Sequence, residues 1–241
     1  RVQAERTANM HPTSTHDMLK NKIALVTVAG SGIGEAVAKL FAQNGASVVL
    51  ADMDMDGAAR VLAEIEKAGG KGLAVKTDVS KPADCEQAVA QAVNWLGRLD
   101  IAVNNAGIGG PSALAGDYPL EGWDKVIAIN LSGVFYGMRY QLPAMLKNGG
   151  GSIVNMASIL GKVGFPMSSA YASAKHGVIG LTETTACEYA TQGIRINAVG
   201  PGFIKTPLLD KNLNEEQLKG IAAMHPMQRL GTAEEVAELV L

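Results

Sequence analysis

The stretch KIALVTVAGSGIG, residues 22–34, decides the fold of this chain. It opens with a short apolar run, residues 23–27, of the kind found in strands that are buried on both faces. A glycine-rich turn follows, and a helical pattern then runs from Gly34 to Asn44 before a second apolar run, residues 47–51. The order of strand, glycine-rich turn, helix and strand predicts a βαβ unit with two parallel strands.

The same alternation continues along the chain. Strand patterns at 72–76, 101–104, 151–156 and 195–199 alternate with helical patterns at 56–68, 82–96 and about 170–192. This order predicts an α/β fold: a single doubly wound, Rossmann-type parallel sheet flanked by helices on both faces. Ser80, two residues before Pro82, is expected to be the N-cap of the helix over 82–96. Ligands are expected at the carboxyl ends of the strands.

The chain has 241 residues, which suits one domain. Residues 1–20 are polar and without period, so we expect a disordered N-terminal arm or an expression remnant, followed by a dinucleotide-binding catalytic domain over 21–241. The last helical pattern reaches Leu241 without a capping signal, which predicts that the natural protein continues.

Composition excludes several classes of protein. The formal net charge is −2 and no segment clusters Lys and Arg, which argues against nucleic-acid binding. Cys85 and Cys187 lack CxxC spacing, and His176 and His225 have no partners at ligand spacing, so we predict neither a disulfide framework nor a metal site. No apolar run approaches the roughly 20 residues of a membrane span. A cytoplasmic protein without membrane contact is expected.

The glycine-rich turn suggests a dinucleotide site. Gly30, Ser31, Gly32 and Ile33 precede a helix whose free N–H groups and positive dipole end suit a pyrophosphate. Such turns also occur for packing alone and in S-adenosylmethionine-binding folds, so the turn does not decide between these functions.

Asp52 narrows the choice of cofactor. It ends the second strand, eighteen residues after Gly34, where a carboxylate can accept hydrogen bonds from the adenosine ribose and repel a 2′-phosphate. Asp54 and Asp56 lie close enough in sequence to share this role, but the position of Asp52 at the strand end favours it. The sequence therefore predicts NAD rather than NADP.

Tyr171 and Lys175 are candidates for acid–base chemistry. Four residues apart on a predicted helix, they share one face, and an ammonium beside a phenol is expected to lower the pKa of the phenol. Such pairs are common by chance. Here, however, the segment Asn104-Asn105-Ala106-Gly107 follows the fourth strand, and Ser158 lies thirteen residues before Tyr171.

With these motifs the chain resembles the short-chain dehydrogenase/reductases, from Lys22 to Leu241. The resemblance rests on the glycine-rich turn, the NNAG segment at 104–107, the spacing of Ser158, Tyr171 and Lys175, and the pair Pro201-Gly202. It implies an NAD-preferring oxidoreductase that transfers a hydride between NAD(H) and a secondary alcohol or ketone, and it argues against S-adenosylmethionine binding as the function of the turn.

The resemblance also implies residue roles. In the catalytic tetrad, Asn130 would hold a water in a proton relay with Lys175, Ser158 would hydrogen-bond the substrate oxygen, and Tyr171 would be the general acid and base. Cofactor contacts would come from Tyr171 and Lys175 and from further positions: Asp78 and Val79 at the adenine, Asn104, Ala106 and Gly107 near the ribose, and Pro201, Gly202, Ile204 and Thr206 at the nicotinamide.

Val28 departs from the family pattern. The family has glycine at this position, and a β-branched residue resists the backbone angles that glycine allows. Valine is therefore expected to distort the turn or weaken pyrophosphate binding, which leaves a non-catalytic NAD-binding protein as one alternative. A second alternative is a 3-oxoacyl-thioester reductase, although Asp52 and the charge balance argue against it.

The substrate is expected to be a moderately hydrophobic secondary alcohol or ketone. Segments 108–118, 159–168 and 206–224 are expected to form an apolar pocket; its apolar side chains would be Leu160, Val163, Phe165, Met167, Leu208 and Leu209. By resemblance, two long helices over about 120–146 and 170–192 would form a homotetramer.

Overall fold

The computed structural model describes residues 17–207, 209 and 213–241 of the chain. Six strands form one sheet in the order β3-β2-β1-β4-β5-β6, and every neighbouring pair is parallel. The strands are β1 (Ile23–Thr27), β2 (Ser47–Asp52), β3 (Lys71–Lys76), β4 (Ile101–Asn104), β5 (Gly151–Met156) and β6 (Ile194–Val199). The predicted doubly wound sheet is confirmed. The strand order reverses between β1 and β4, which opens a crevice at their carboxyl ends.

Helices cover both faces of the sheet. They are α1 (Gly32–Gln43), α2 (Met55–Lys67), α3 (Pro82–Leu96), α4 (Leu120–Ile127), α5 (Gly133–Lys147), α6 (Ser169–Tyr189), α7 (Glu215–Ala223) and α8 (Ala233–Val240). Successive residues of β1 point to opposite faces: Val26 packs with residues of α1, α2 and α8, and Leu25 with residues of α3, α5 and α6. The helix predicted over 120–146 is α4 and α5, joined by a π-helical segment, Ala128–Ser132.

A buried amide network links the centre of the sheet to two helices. The Asn104 side chain donates to Gln141 Oε1 at 3.1 Å and to Asn155 Oδ1 at 2.8 Å, and it accepts from Gln141 Nε2 at 2.8 Å. Asn155 in turn donates to Thr182 Oγ1 at 3.0 Å. Each buried polar atom named here has a partner, so the network fixes β4 and β5 against α5 and α6.

Two boundaries differ from the sequence prediction. The N-cap of α3 is Lys81, not Ser80, because the Ser80 hydroxyl donates to Asp78 Oδ1 at 2.7 Å instead of capping the helix. Of the predicted arm, residues 1–16 lie outside the described residues. Leu19, inside that arm, donates its N–H to the Asn44 carbonyl at 2.9 Å and packs on the core. Among the described residues no helix is both long and apolar enough to cross a membrane.

Candidate active site

The glycine-rich turn after β1 is packed too closely for side chains at two positions. A Cβ at Gly34 would lie 2.0 Å from the Val28 carbonyl oxygen, and one at Gly30 would lie 2.8 Å from the backbone nitrogen of Ala58. The first contact lets the start of α1 lie directly on the turn, and the second lets α2 do so. Ser31, Gly32 and Ile33, at the start of α1, line the large cavity of the structure, and the start of a helix is where a pyrophosphate could bind.

Val28 occupies this turn in a left-handed backbone conformation, with a φ of 51°. Its N–H donates to the Ala51 carbonyl at 2.8 Å, so the residue stays tied to the end of β2. A β-branched residue with positive φ is an outlier that persists only when surrounding contacts impose it. The turn thus keeps a glycine-like backbone at a residue that is not glycine, and the expected conflict takes the form of backbone strain.

The Asp52 carboxylate joins the turn to β2. Oδ2 accepts from the Gly30 N–H and Oδ1 from the Asp54 N–H, both at 2.9 Å, and the residue is buried. An ionised carboxylate accepts about four hydrogen bonds, so capacity for two ribose hydroxyls remains. Asp54 instead caps α2 by accepting from the Gly57 N–H. These contacts favour Asp52 over Asp54 as the acceptor for a ribose, and the turn and carboxylate together fit a dinucleotide.

Ser158, Tyr171 and Lys175 meet beside the same crevice. Ser158 follows β5 and accepts the Leu160 N–H at 3.1 Å, while Tyr171 lies in the first turn of α6. Lys175 lies one turn later, with its Nζ 5.6 Å from the centre of the Tyr171 ring. Lys175 Nζ also donates to the Met156 carbonyl at 2.6 Å. A phenol, a hydroxyl and an ammonium thus converge where a carbonyl oxygen could bind.

Burial dominates the ionisation of this group. It lowers the pKa of Lys175 to about 8. It raises the pKa of the Tyr171 phenol, and hydrogen bonding with the Ser158 side chain offsets part of that rise. The expectation that Lys175 lowers the pKa of Tyr171 is therefore not met in this structure. The physical reason is that burial disfavours both charged forms, and the Lys175 ammonium donates to the Met156 carbonyl.

Asn130 lies in the π-helical segment, a type of distortion that is frequent at functional sites. Its Oδ1 accepts from the Ile108 N–H and its Nδ2 donates to the Ile108 carbonyl, both at 2.8 Å. A Cβ built on Gly107 would lie 3.6 Å from both Asn130 Oδ1 and Lys175 Nζ. The side chain thus holds the loop after β4 beside Lys175, and its place in a proton relay stays a prediction.

One cavity of about 1070 Å³ contains much of the predicted site. Its lining includes these predicted residues: Ser31, Gly32, Ile33, Gly107, Ser158, Tyr171, Lys175, Pro201, Gly202, Ile204 and Thr206. Other predicted residues lie outside it: Gly30, Asp52, Asp78, Val79, Asn104, Ala106 and Asn130. The side chain of Asn104 is held in the amide network, and Val79 and Ala106 pack in a small buried cluster. Asp78 accepts from the Ser80 hydroxyl, which holds its pKa below the usual range.

The three segments expected to bind substrate all contribute to this cavity, and most of the residues that they place in its lining are apolar. Leu160, Phe165, Met167 and Leu209 line it as predicted, Val163 does not, and Leu208 lies outside the described residues. Among the described residues that line the cavity, Lys175 is the only one with a cationic side chain, and none is Asp, Glu or Arg. The described residues also contain no group of three or more His, Cys, Asp or Glu side chains arranged to hold a metal.

Sequence reasoning missed Phe203, which lines the cavity beside the predicted Phe165. Phe203 packs edge to face with Phe165 at 6.0 Å between ring centres and stacks on His225 at 5.7 Å. His225 Nε2 also accepts the Phe203 N–H at 3.0 Å. Phe165, Phe203 and His225 are far apart in the sequence, so no local sequence pattern predicts that they are in contact. Asn105 was missed as well; it lines the cavity and donates from Nδ2 to the Thr27 carbonyl at 3.1 Å.

Comparison with known proteins gives several matches. A family model described as enoyl-(acyl carrier protein) reductase matches residues 28–241. The chain is 50% identical to a cyclohexanol dehydrogenase of Acinetobacter sp. over 220 residues, which is 91% of this chain and 86% of the relative. It is 42% identical to a cis-4-hydroxycyclohexanecarboxylate dehydrogenase of Sinomonas cyclohexanicum, over 91% of this chain and 87% of the relative.

A solved structure matches the fold closely. It is a 3-ketoacyl-(acyl-carrier-protein) reductase from Brucella melitensis, complexed with NADH, with a TM-score of 0.85 and 38% identity. The alignment covers 92% of this chain and 90% of that chain.

Proposed function

Because the chain belongs to the short-chain dehydrogenase/reductase family, we propose that it transfers a hydride between NAD(H) and an uncharged alicyclic secondary alcohol or ketone, with Tyr171 as general acid and base. The observation that carries the proposal is the convergence of Ser158, Tyr171 and Lys175 on a cavity that also reaches the glycine-rich turn. Bound nicotinamide would accept or supply the hydride at the substrate carbon.

In this proposal the protein handles the oxygen and the proton. During ketone reduction, Ser158 and Tyr171 donate hydrogen bonds to the carbonyl oxygen, and the Tyr171 proton passes to that oxygen as the carbon gains the hydride. During alcohol oxidation the hydroxyl proton passes to the Tyr171 oxygen instead. Lys175 holds positive charge nearby at neutral pH because its pKa is about 8. Pre-placed donors of this kind stabilise the negative charge that develops on the oxygen.

The proposed preference for NAD rests on the Asp52 carboxylate. It is buried, it faces the turn through the Gly30 N–H, and its charge would repel a 2′-phosphate. The matched variant is Asp52→Asn, which keeps an oxygen for the Gly30 N–H and removes the charge. We expect NADH to bind more tightly than NADPH to the wild type, and the difference to shrink in the variant. Fluorescence titration with both cofactors measures it; tighter NADPH binding to the wild type would contradict the proposal.

The proposed substrate class rests on the described lining of the cavity and on two relatives. A charged substrate would need a partner, because burying an unpaired charge is costly, and Lys175 is already assigned to the reacting oxygen. The relatives named above act on a six-membered ring alcohol without charge and on one with a carboxylate. The lining favours the uncharged alcohol.

A substrate panel tests this choice. Cyclohexanol, cis-4-hydroxycyclohexanecarboxylate and a 3-hydroxyacyl thioester would each be assayed with NAD⁺ at equal concentrations. We expect kcat/KM to be highest for cyclohexanol and at least about a hundredfold lower for the carboxylate, given the cost of burying its charge. A faster reaction with the carboxylate would overturn the neutral-substrate choice and leave the hydride-transfer chemistry standing.

A 3-oxoacyl-thioester reductase is the second candidate, favoured by the Brucella melitensis structure and by the description of the matching family model. The third substrate of the panel separates the two. If the thioester reacts fastest, the second candidate replaces the first.

The proposal includes a homotetramer in the cytoplasm. Phe135 on α5 is 49% exposed and Leu120 at the start of α4 is 81% exposed, on the helical segment expected to form the interface. Both cysteines are free thiols, which suits a reducing compartment. Light scattering tests the assembly, and a monomer would contradict it. We retain residues 21–241 as the proposed catalytic domain.

A further inference from the structure

The carbonyl of Gly30 in the glycine-rich turn is held by a side chain of α2. Arg60 on α2 donates from Nη2 to the Gly30 oxygen at 3.0 Å. The N–H of the same residue donates to Asp52 Oδ2 at 2.9 Å. Both backbone polar groups of Gly30 are therefore fixed by residues of neighbouring elements, Asp52 of β2 and Arg60 of α2.

Arg60 is itself held in place by α1. Its guanidinium binds both carboxylate oxygens of Glu35, at 2.6 and 3.0 Å, and Glu35 lies in the first turn of α1. Paired contacts of this kind fix the plane of a guanidinium better than a single contact does. Arg60 thus ties the turn, α1 and α2 together, although its side chain is half exposed.

Two residues before Gly30, Val28 opposes the conformation that these contacts maintain. Its φ of 51° is strained for a β-branched residue, and such strain persists only where neighbouring contacts impose it. A turn that relaxed at Val28 would move the backbone N–H groups expected to meet the pyrophosphate. The strain at Val28 and the contacts at Gly30 therefore act against each other.

We propose that Arg60 is a positioning residue for the cofactor: it holds Gly30 so that the turn keeps its binding conformation despite Val28. The inference rests on the proposed binding of a nicotinamide dinucleotide at this turn. Without Arg60, a larger fraction of the protein would hold the turn in a relaxed conformation, and the apparent affinity for NADH would fall with the competent fraction. A glycine at position 28 would remove the need for the contact.

A double-mutant cycle tests this coupling. Arg60→Met keeps the aliphatic stem and removes the guanidinium. We expect it to weaken NADH binding about tenfold in the Val28 chain and less than about twofold in a Val28→Gly chain, a size of coupling seen between interacting residues. Equal losses in the two chains would overturn the proposal, as would no loss in the Val28 chain, because a simple charge effect on NADH does not depend on residue 28.

Lys39 supplies a matched control. It pairs with Glu35 and Glu64, each at 2.5 Å, and Arg60 binds both of these carboxylates too. Lys39 is not among the hydrogen-bond partners of Gly30. Lys39→Met therefore removes a cation from the network and leaves the contact with the turn. We expect its NADH affinity to match that of the wild type. A loss equal to that of Arg60→Met would assign the effect to network charge and refute the positioning role.

Hydrogen exchange measures the same coupling without cofactor or turnover. In the Val28 chain, Arg60→Met should speed exchange in a peptide that covers residues 28–32, because the Gly30 N–H would leave Asp52 more often. In the Val28→Gly chain the exchange should stay slow. If no variant binds NADH, the proposed function fails while this measurement still decides the role of Arg60; unchanged exchange in the Val28 chain would refute it.

Discussion

The two ends of the cavity differ in whether backbone or side chains form the site. At the glycine-rich turn, the backbone forms the site, and Val28, with a φ of 51°, stands where the resemblance predicts glycine. At the other end, side chains form the site, and Ser158, Tyr171 and Lys175 are all present and converge. The cost there is burial of an ammonium, which lowers the pKa of Lys175 to about 8. Backbone sites tolerate a changed residue if contacts hold the turn, whereas side-chain sites depend on residue identity.

The largest expected effect comes from the side-chain end. Tyr171→Phe removes the hydroxyl that transfers the proton, and kcat should fall by about 10³-fold or more, in the range of general acid–base catalysis. NADH affinity should change by less than about twofold, since the glycine-rich turn is untouched. Steady-state kinetics and fluorescence titration measure the two quantities.

Serine offers a control at this end. Ser158→Ala keeps the proton donor and removes one hydrogen bond to the substrate oxygen, so its loss of kcat should be smaller than that of Tyr171→Phe. If Tyr171→Phe retained more than about a tenth of wild-type kcat, an amount incompatible with a general acid–base role, the assignment of Tyr171 would be wrong.

A stability measurement sharpens the same contrast. A shift of the Lys175 pKa from 10.5 to about 8 corresponds to a cost of about 3 kcal/mol at neutral pH, because one pKa unit is about 1.4 kcal/mol. Lys175→Met fills similar space without charge, so we expect it to raise the free energy of unfolding at pH 7 by up to this amount and to abolish turnover. Denaturant unfolding measures the gain.

The pH dependence of that gain identifies its cause. With a folded pKa of about 8 and an unfolded pKa near 10.5, the unfolded chain binds more protons between these values, so wild-type stability rises with pH there. The advantage of Lys175→Met should therefore be constant below about pH 8, shrink above it and vanish beyond about pH 10.5. A gain that did not change with pH would indicate better packing rather than removal of a buried charge.

How far the sequence predicted the molecule also differs between the two ends. The apolar runs and the glycines between them predicted the sheet because both are local features of the sequence. The spacing of Ser158, Tyr171 and Lys175 predicted the side-chain end of the cavity because these residues lie at the end of one strand and in one turn of one helix. The direction of the Tyr171 pKa shift was predicted wrongly, because burial, which raises this pKa, depends on the whole fold. Phe203 and His225, 22 residues apart, are brought together by the tertiary fold, where they stack and share a hydrogen bond, and such a contact leaves no periodic signal.

At the turn the sequence predicted a conflict but not its form. Val28 was expected to distort the turn or weaken pyrophosphate binding; in the structure it has a left-handed φ of 51°, and Ala51, Asp52 and Arg60 hold the turn by hydrogen bonds. Those contacts come from β2 and α2, so a motif limited to the turn itself could not report them. Asn104 shows that a motif can also mislead about a residue's contacts. It belongs to the recognised NNAG segment, but its side chain is hydrogen-bonded to Gln141 and Asn155 in the core.

Replacing Val28 with glycine should have a moderate effect on NADH binding. Val28→Gly relieves strain of about 1–3 kcal/mol but adds about 1 kcal/mol of chain entropy to the cost of folding, so the free energy of unfolding should stay the same or rise by up to about 2 kcal/mol. NADH should bind about threefold more tightly, because more of the protein holds the competent turn. Val28→Ala, which keeps a Cβ and lacks the branch, should fall between the two. Calorimetric titration checks the series, and weaker NADH binding to Val28→Gly would show that the valine contributes contact rather than strain.

The smallest effect links the two ends through the cofactor. Burial raises the pKa of Tyr171, so in the free protein this phenol should ionise at higher pH than an exposed tyrosine. Bound NAD⁺ would place a positive charge near it and favour the phenolate, and by linkage NAD⁺ affinity should rise as pH increases through that ionisation. Titrations at several alkaline pH values should show this rise in the wild type and not in Tyr171→Phe. If NAD⁺ affinity rises in the same way in Tyr171→Phe, the titration of another group is coupled to NAD⁺ binding, and the ionisation of Tyr171 is independent of the cofactor.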